Sequence, residues 1–323
     1  MNYELARNFV YRNARPLDMA RWKYMFENGS KEDVLNALIA YQNEDGGFGH
    51  GLEPDYWNPD SSPIQTEVAT EIIKEINLMD KNHPIIQGIL NYLSSGKDFD
   101  GHTWSFTVAA NNDYPHAPWW HFESYQETSY NPTASLIGFI LKFGDNNSQL
   151  FELACTLAKE AYGYIKLNFP LESMHTVACF VKLYEYIKES SINDLLDIEE
   201  FRALLQKQIQ HVITYDTLIW ATEYVCKPSL FIESKNSDFY MSNKEICDYE
   251  CRFISDTQKS DGTWDITWSW TDYTEQWSIS KNWWKSDLII KNIRFIKAIN
   301  NNKIFLYSCL IKTYLFNETA LNL

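Results

Sequence analysis

The sequence predicts an all-α fold, an α/α toroid (barrel) of about six helical hairpins, and three observations predict it. Glycine and proline are sparse, 12 and 10 of 323 residues, which suits helices better than a many-stranded architecture. A short unit recurs in which a helical run ends in Gln and runs into an acidic-Gly turn and an aromatic residue. Two kinds of helix alternate along the chain, one amphipathic and one crowded with small and branched residues.

The recurring unit is clearest at Phe253-Ile254-Ser255-Asp256-Thr257-Gln258, followed by Lys259-Ser260-Asp261-Gly262-Thr263-Trp264. A second copy runs from Leu38 through Gln42 into Asn43-Glu44-Asp45-Gly46-Gly47-Phe48, and a degenerate one from Ile89 through Leu93 to Asp100-Gly101-His102-Thr103-Trp104. Gly takes the positive φ that ends a helix, and Asp bonds back to nearby backbone. Inner-ring helices, capped by Pro, Ser, Thr or Asn, are expected to start near Pro16, Thr66, Thr133, Thr176, Thr217 and Trp284. Outer partners are expected near 31–42, 84–95, 148–167, 195–213, 242–258 and 303–316, so one toroid domain would span 1–323. Two stretches, 94–130 and 259–283, break the helical rhythm and are rich in Trp, Tyr, His and Asp; long irregular segments of this kind often carry function.

Composition narrows the function classes. Hydrophobic residues make up 45% and charged residues 22% of the chain, a globular balance. The formal net charge of −15 disfavours nucleic acid and anionic membrane surfaces as partners. No window approaches the roughly 18 apolar residues of a membrane span. The first residues carry an early acid and no apolar signal core, and the six cysteines follow no framework spacing. The expectation is a cytoplasmic protein with reduced thiols. Aromatics reach 15%, with 12 Trp, enough to line a groove as well as a core.

The helix-Gln-x-x-x-Gly-aromatic unit resembles the repeats of the prenyltransferase and squalene-cyclase superfamily, best at Gln258 through Trp264 and next at Gln42 through Phe48. The segment from Asn13 to Asp55 is also similar to a group of bacterial toroid proteins. The resemblance implies a helical toroid and a terpenoid-cyclase or protein-prenyltransferase activity. The superfamily's catalytic residues do not carry over. No Asp-x-Asp-Asp acid motif occurs; Asp98-Phe99-Asp100 is nearest and ends in Gly101. Asp248-Tyr249-Glu250-Cys251 departs from the zinc-binding spacing of protein prenyltransferases.

Three segments concentrate chemistry. Phe48-Gly49-His50-Gly51-Leu52-Glu53-Pro54-Asp55 offers a base, an acid and an acceptor in one loop (His50, Glu53, Asp55), with Trp57 just beyond; it reads equally as a capped structural turn. Tyr114-Pro115-His116-Ala117-Pro118-Trp119-Trp120-His121-Phe122-Glu123 combines a stiffened loop, two indoles and a candidate acid, Glu123. Its histidines have weak spacing for zinc, so no metal or other cofactor is assigned, with Mg or Zn the metals considered. The third segment, with Trp264, Trp268 and Trp270 followed by Trp284, reads as a ligand wall or as a cover on the last hairpin. His175, at the start of an inner helix, could face a central cavity.

His50, Glu53, Asp55, His116 and Glu123 are thus the candidate catalytic groups, and Trp57, Trp119, Trp120, His121, His175, Trp268, Trp270 and Trp284 the candidate ligand contacts. The leading functional expectation is binding or conversion of an isoprenoid-like apolar ligand in an aromatic-lined cavity. The alternatives are a carbohydrate-active hydrolase or lyase using carboxylates as acid and base, and a non-catalytic ligand-binding or scaffold protein.

Overall fold

A computed structural model describes residues 1–124, 129–190, 192 and 194–300, and among these it is all-helical, with no strand beyond isolated bridges. Eleven α-helices are present among the described residues: α1 Tyr3–Asn13, α2 Pro16–Phe26, α3 Lys31–Leu38, α4 Pro63–Glu75, α5 Pro84–Ser94, α6 Thr133–Phe143, α7 Gln149–Leu167, α8 Met174–Ser190, α9 Ile198–Val212, α10 Lys244–Asp256 and α11 Thr274–Asn300.

Local chemistry sets most of the helix starts. Ser30 and Asp33 form a reciprocal capping box on α3. Ser62, Ser148 and Asp197 each accept a backbone N–H at the start of α4, α7 and α9. Proline occupies the first turn of α2, α4 and α5, where its missing N–H costs nothing. The two expected helix classes are visible in burial. Every residue of α6 except Lys142 is buried, whereas α7 and α9 bury one stripe. Helix α6 packs most extensively on α8, and Gly138 permits the approach, since a Cβ there would stand 2.7 Å from the Tyr186 ring.

The repeated turn is one device used twice. Gln42 Nε2 donates to the Gly46 carbonyl and to the Ile85 carbonyl at the start of α5. Gln258 Nε2 donates to the Gly262 carbonyl and to the Asn2 carbonyl at the start of α1. In both turns the Asp side chain accepts the N–H two residues on, Asp45 from Gly47 and Asp261 from Thr263. Gly46 and Gly262 have φ of 87° and 88°. A Cβ on Gly262 would fall 2.3 Å from the Leu5 backbone, so only glycine fits. Each unit therefore clips the N-terminus of a different helix, and for the last unit that helix is the first in the chain. Helix α11 packs against both α1 and α2, and one continuous apolar cluster runs from Ala6 to Ile299.

Several sequence expectations change here. Helix α1, Tyr3–Asn13, is not among the expected helices. Near Thr217 the chain forms only a three-residue 3-10 turn, Thr217–Ile219, and residues 220–243 stay irregular apart from two further short turns. Trp284 lies inside α11 rather than at its start. The helix expected at 303–316 lies outside the described residues.

Candidate functional site

The site grows from the loop between α3 and α4, residues 48–62. His50 and Gly51 sit at φ of 60° and 71°, turning the chain sharply. His50 N–H donates to the Asn58 carbonyl and Ser62 N–H to the Phe48 carbonyl, closing the loop on itself. Gln65 of α4 accepts the Leu52 N–H and donates to the Asn58 carbonyl. From α2, Arg15 donates to the Gly51 and Leu52 carbonyls, both at 2.9 Å. From α11, Ser280 Oγ donates to the Pro54 carbonyl at 2.7 Å. Residues Gly51 to Pro54 are thus held by Arg15 just before α2, by Gln65 of α4 and by Ser280 of α11.

Both acids of this segment are buried. Asp55 is clasped by the Trp-rich segment: Trp270 Nε1 donates to Oδ1 at 2.8 Å and Trp268 Nε1 to Oδ2 at 3.1 Å. The buried Trp284 N–H makes no hydrogen bond of ordinary geometry yet still favours the Asp55 charge. Burial nonetheless raises the Asp55 carboxyl above its ordinary range, with these indoles opposing. Glu53 is pushed higher still, first by burial and then by the Asp55 charge, and Lys291 and Arg15 relieve this only in part.

Aromatic rings extend from the carboxyls. Trp268 meets Trp284 and Tyr224 edge to face, at 5.3 and 5.2 Å between centroids. Tyr224 shares a hydrogen bond of 2.9 Å between its hydroxyl and His175 Nε2. Burial lowers the His175 pKa and pushes the Tyr224 phenol up to about 12, the Glu53 charge adding to the latter. Trp57 stacks on Trp283 and donates to Ser280.

Beneath these rings lies a charged interior. Lys291 and Glu233 are half exposed, with 52% and 48% of their side chains accessible. Arg21 binds Asp18, Glu75 and Asp287 at 2.7–3.1 Å, and Asp287 also pairs with Lys291. Lys182 bridges Glu67 and Glu71, Lys74 pairs with Glu185, and Arg294 with Glu233. At the C-terminal ends of α4, α6 and α8 a cavity of 370 Å³ opens, lined in part by Lys74, Lys142, Tyr186 and Glu233.

The structure therefore brings together Glu53, Asp55, Trp268, Trp270, Trp284, Trp57 and, through Tyr224, His175. The 114–122 loop joins them through backbone: Ala117 N–H donates to the Asp55 carbonyl and Trp57 N–H to the Pro115 carbonyl. Its side chains are occupied elsewhere. His116 is buried with Nδ1 at 2.6 Å from the Tyr114 carbonyl, and its ring stacks on His121. Trp120 is buried against Tyr56 and Phe106, whereas Trp119 and Glu123 are exposed. His50 is exposed and lies 2.8 Å from Asn43 Oδ1, apart from the acids. Trp264 donates to the Ile254 carbonyl of its own hairpin and does not join the wall.

Sequence reasoning missed Arg15, Asp18, Tyr224, Asp287 and Lys291. Asp287 and Lys291 carry a legible signal, an acid–base pair four residues apart on one helix face; Tyr224 sits in an aperiodic stretch and carries none. Among the described residues no group of three His, Cys, Asp or Glu side chains is arranged to hold a metal, and no helix is long and apolar enough to cross a membrane. Comparison of the chain with family models, curated proteins and solved structures finds no match.

Proposed function

We propose that this protein is an acid–base hydrolase of a polar, sugar-like substrate, with Glu53 and Asp55 as its working carboxyls in an α/α toroid. The observation that carries the reading is the buried Glu53–Asp55 pair, pushed apart in proton affinity and set beside an aromatic wall. Two carboxyls held in different states are what acid–base cleavage of a glycosidic bond requires. Glu53 keeps its proton near neutrality and delivers it to the leaving oxygen. Asp55, its charge favoured by the indoles, faces the positive charge that develops on the sugar carbon. Water adds to that carbon, and its proton returns to a carboxylate. Trp268, Trp284 and Tyr224 supply faces on which sugar rings stack.

The toroid is supported by the Gln258 clip onto the first helix, which repeats the Gln42 clip onto α5, and by the packing of α11 on α1 and α2. The isoprenoid reading rests on the repeat and the aromatic rings. Carbocation chemistry needs a dry apolar pocket, and the ionised interior around Lys74, Lys182, Lys291 and Arg294 favours a polar occupant instead.

The test is a screen of aryl glycosides and oligosaccharides beside prenyl diphosphates and squalene, with wild type and Glu53→Gln. Turnover of a glycoside that falls at least 100-fold in Glu53→Gln supports the proposal. Isoprenoid conversion, or glycoside turnover indifferent to Glu53, defeats it.

A further inference from the structure

The far end of α4 carries the cavity of 370 Å³, and its walls have a chemistry of their own. Helix α4 runs 13 residues from Pro63 to Glu75, about 20 Å at 1.5 Å per residue, and this length separates the cavity from the 48–62 loop. Asn77, at a φ of 52°, turns the chain just past the helix, and the Leu78 N–H donates back to the Ile73 carbonyl. That turn places Leu78 and Met79 on the cavity wall together with Phe143, the last residue of α6, and Tyr186 of α8.

Two cations and two anions share this lining: Lys74 of α4, Lys142 of α6, Glu189 of α8 and Glu233 of the irregular segment. Lys142 is only 11% exposed and pairs with Glu189. Its ammonium lies 5.2 and 5.5 Å from the Phe143 and Tyr186 ring centroids. An ammonium has three N–H donors, and Glu189 takes one of them. Glu233 gives Oε2 to Arg294 at 2.6 Å, while its Oε1 stands 3.6 Å from Lys74, beyond hydrogen-bond length. Lys74 is paired with Glu185. Glu189 and Glu233 are 44% and 48% exposed, so a solute can reach both carboxylates.

Counted with Glu185 and Arg294, these groups are three cations and three anions. A ligand of net charge would leave one sign in excess, and a purely apolar one would strip water from charged groups without replacing it. A zwitterion answers both signs at once. The cavity falls at the lower end of the about 300–1,000 Å³ of small-molecule sites, which limits the ligand to a small one.

We propose that this cavity binds a small zwitterion with an apolar side chain, an α-amino acid of the leucine, methionine or phenylalanine kind. Its carboxylate accepts from Lys142 Nζ, its ammonium donates to Glu233 Oε1, and its side chain lies against Leu78, Met79 and Phe143. The inference is independent of the reading of Glu53 and Asp55.

Calorimetric titration of the full chain at neutral pH tests it. The probes are leucine, methionine and phenylalanine, each beside its amide, which keeps only the ammonium, and its N-acetyl form, which keeps only the carboxylate. The tightest amino acid is expected to bind at least tenfold more tightly than either of its derivatives. Lys142→Met should cost that amino acid tenfold or more and leave its amide unchanged. Glu233→Gln should cost as much and leave the N-acetyl form unchanged, with near-ultraviolet circular dichroism confirming that each variant is folded. A measurement on the unaltered chain needs no variant: with carbon-labelled methionine methyls, the Met79 signal should move on titration while that of Met174, at the opposite end of α8, stays in place. Failure of all three amino acids to bind, a derivative that matches its parent, or a shift at Met174 without one at Met79 would overturn the proposal. The glycoside screen with Glu53→Gln stands or falls separately.

Discussion

Replacing Glu53 by Gln should stabilise this protein above neutral pH while abolishing the hydrolysis proposed for it. The side chain is buried, its ionised form is disfavoured by burial and by Asp55, and the nearby cations answer only part of that cost. Each tenfold gain in proton affinity on folding corresponds to about 1.4 kcal/mol withheld from the ionised folded state. The raised value belongs to the folded chain, and the unfolded chain titrates in the ordinary carboxyl range. Above the folded pKa the penalty is fully present. It shrinks as pH falls through that value and is gone below the ordinary carboxyl range, because the folded state binds the proton more tightly. Gln keeps the shape without the charge. At about 1.4 kcal/mol for each unit between the ordinary 4.5 and the folded value of about 8, urea unfolding should find Glu53→Gln more stable by up to about 5 kcal/mol at pH 9, with the two proteins converging near pH 4. Parallel stability curves across that range, or a variant less stable at alkaline pH, would refute the placement of an uncompensated acid at this position.

Other perturbations probe the scaffold. Arg21→Met strips the shared partner from buried Asp18, Glu75 and Asp287 and should cost about 3–5 kcal/mol in denaturant unfolding; a loss below about 1 kcal/mol would mean those acids find other partners. Gly262→Ala forces a Cβ into the Leu5 backbone at positive φ. It should destabilise by about 2 kcal/mol or more and speed amide exchange in α1 before α6. Trp270→Phe removes one charge-favouring donor from Asp55 and should raise the Asp55 pKa further, read by carbon-detected carboxyl titration, at a stability cost of about 1–2 kcal/mol.

Much of this was legible in the chain because it is local. Gln42 and Gln258 with their Asp-Gly turns, the Ser and Pro helix starts, and the all-buried pattern of α6 follow from hydrogen bonding and periodicity within a few residues. The 48–55 loop also announced itself, since His50-Gly51 turns, and acids between glycine and proline, are strong local signals. The roles within that loop were not legible. His50, the more obvious base, is exposed and tied to Asn43, whereas Glu53 and Asp55 are buried together.

What the sequence by itself determined is the helical content, the repeated clip and the identity of the segments that break the rhythm, all of them set by near neighbours along the chain. Only the tertiary structure decided that Trp268 and Trp270, more than 200 residues from Asp55, donate to its carboxylate, and that Tyr224, hydrogen-bonded to His175, lies within electrostatic reach of Glu53. It alone decided that buried ion pairs such as Arg21 with Asp18, Glu75 and Asp287 sit within the helical packing. Proton affinity and charge pairing depend on distance and burial in space, and those quantities exist only once helices from both ends of the chain have packed together.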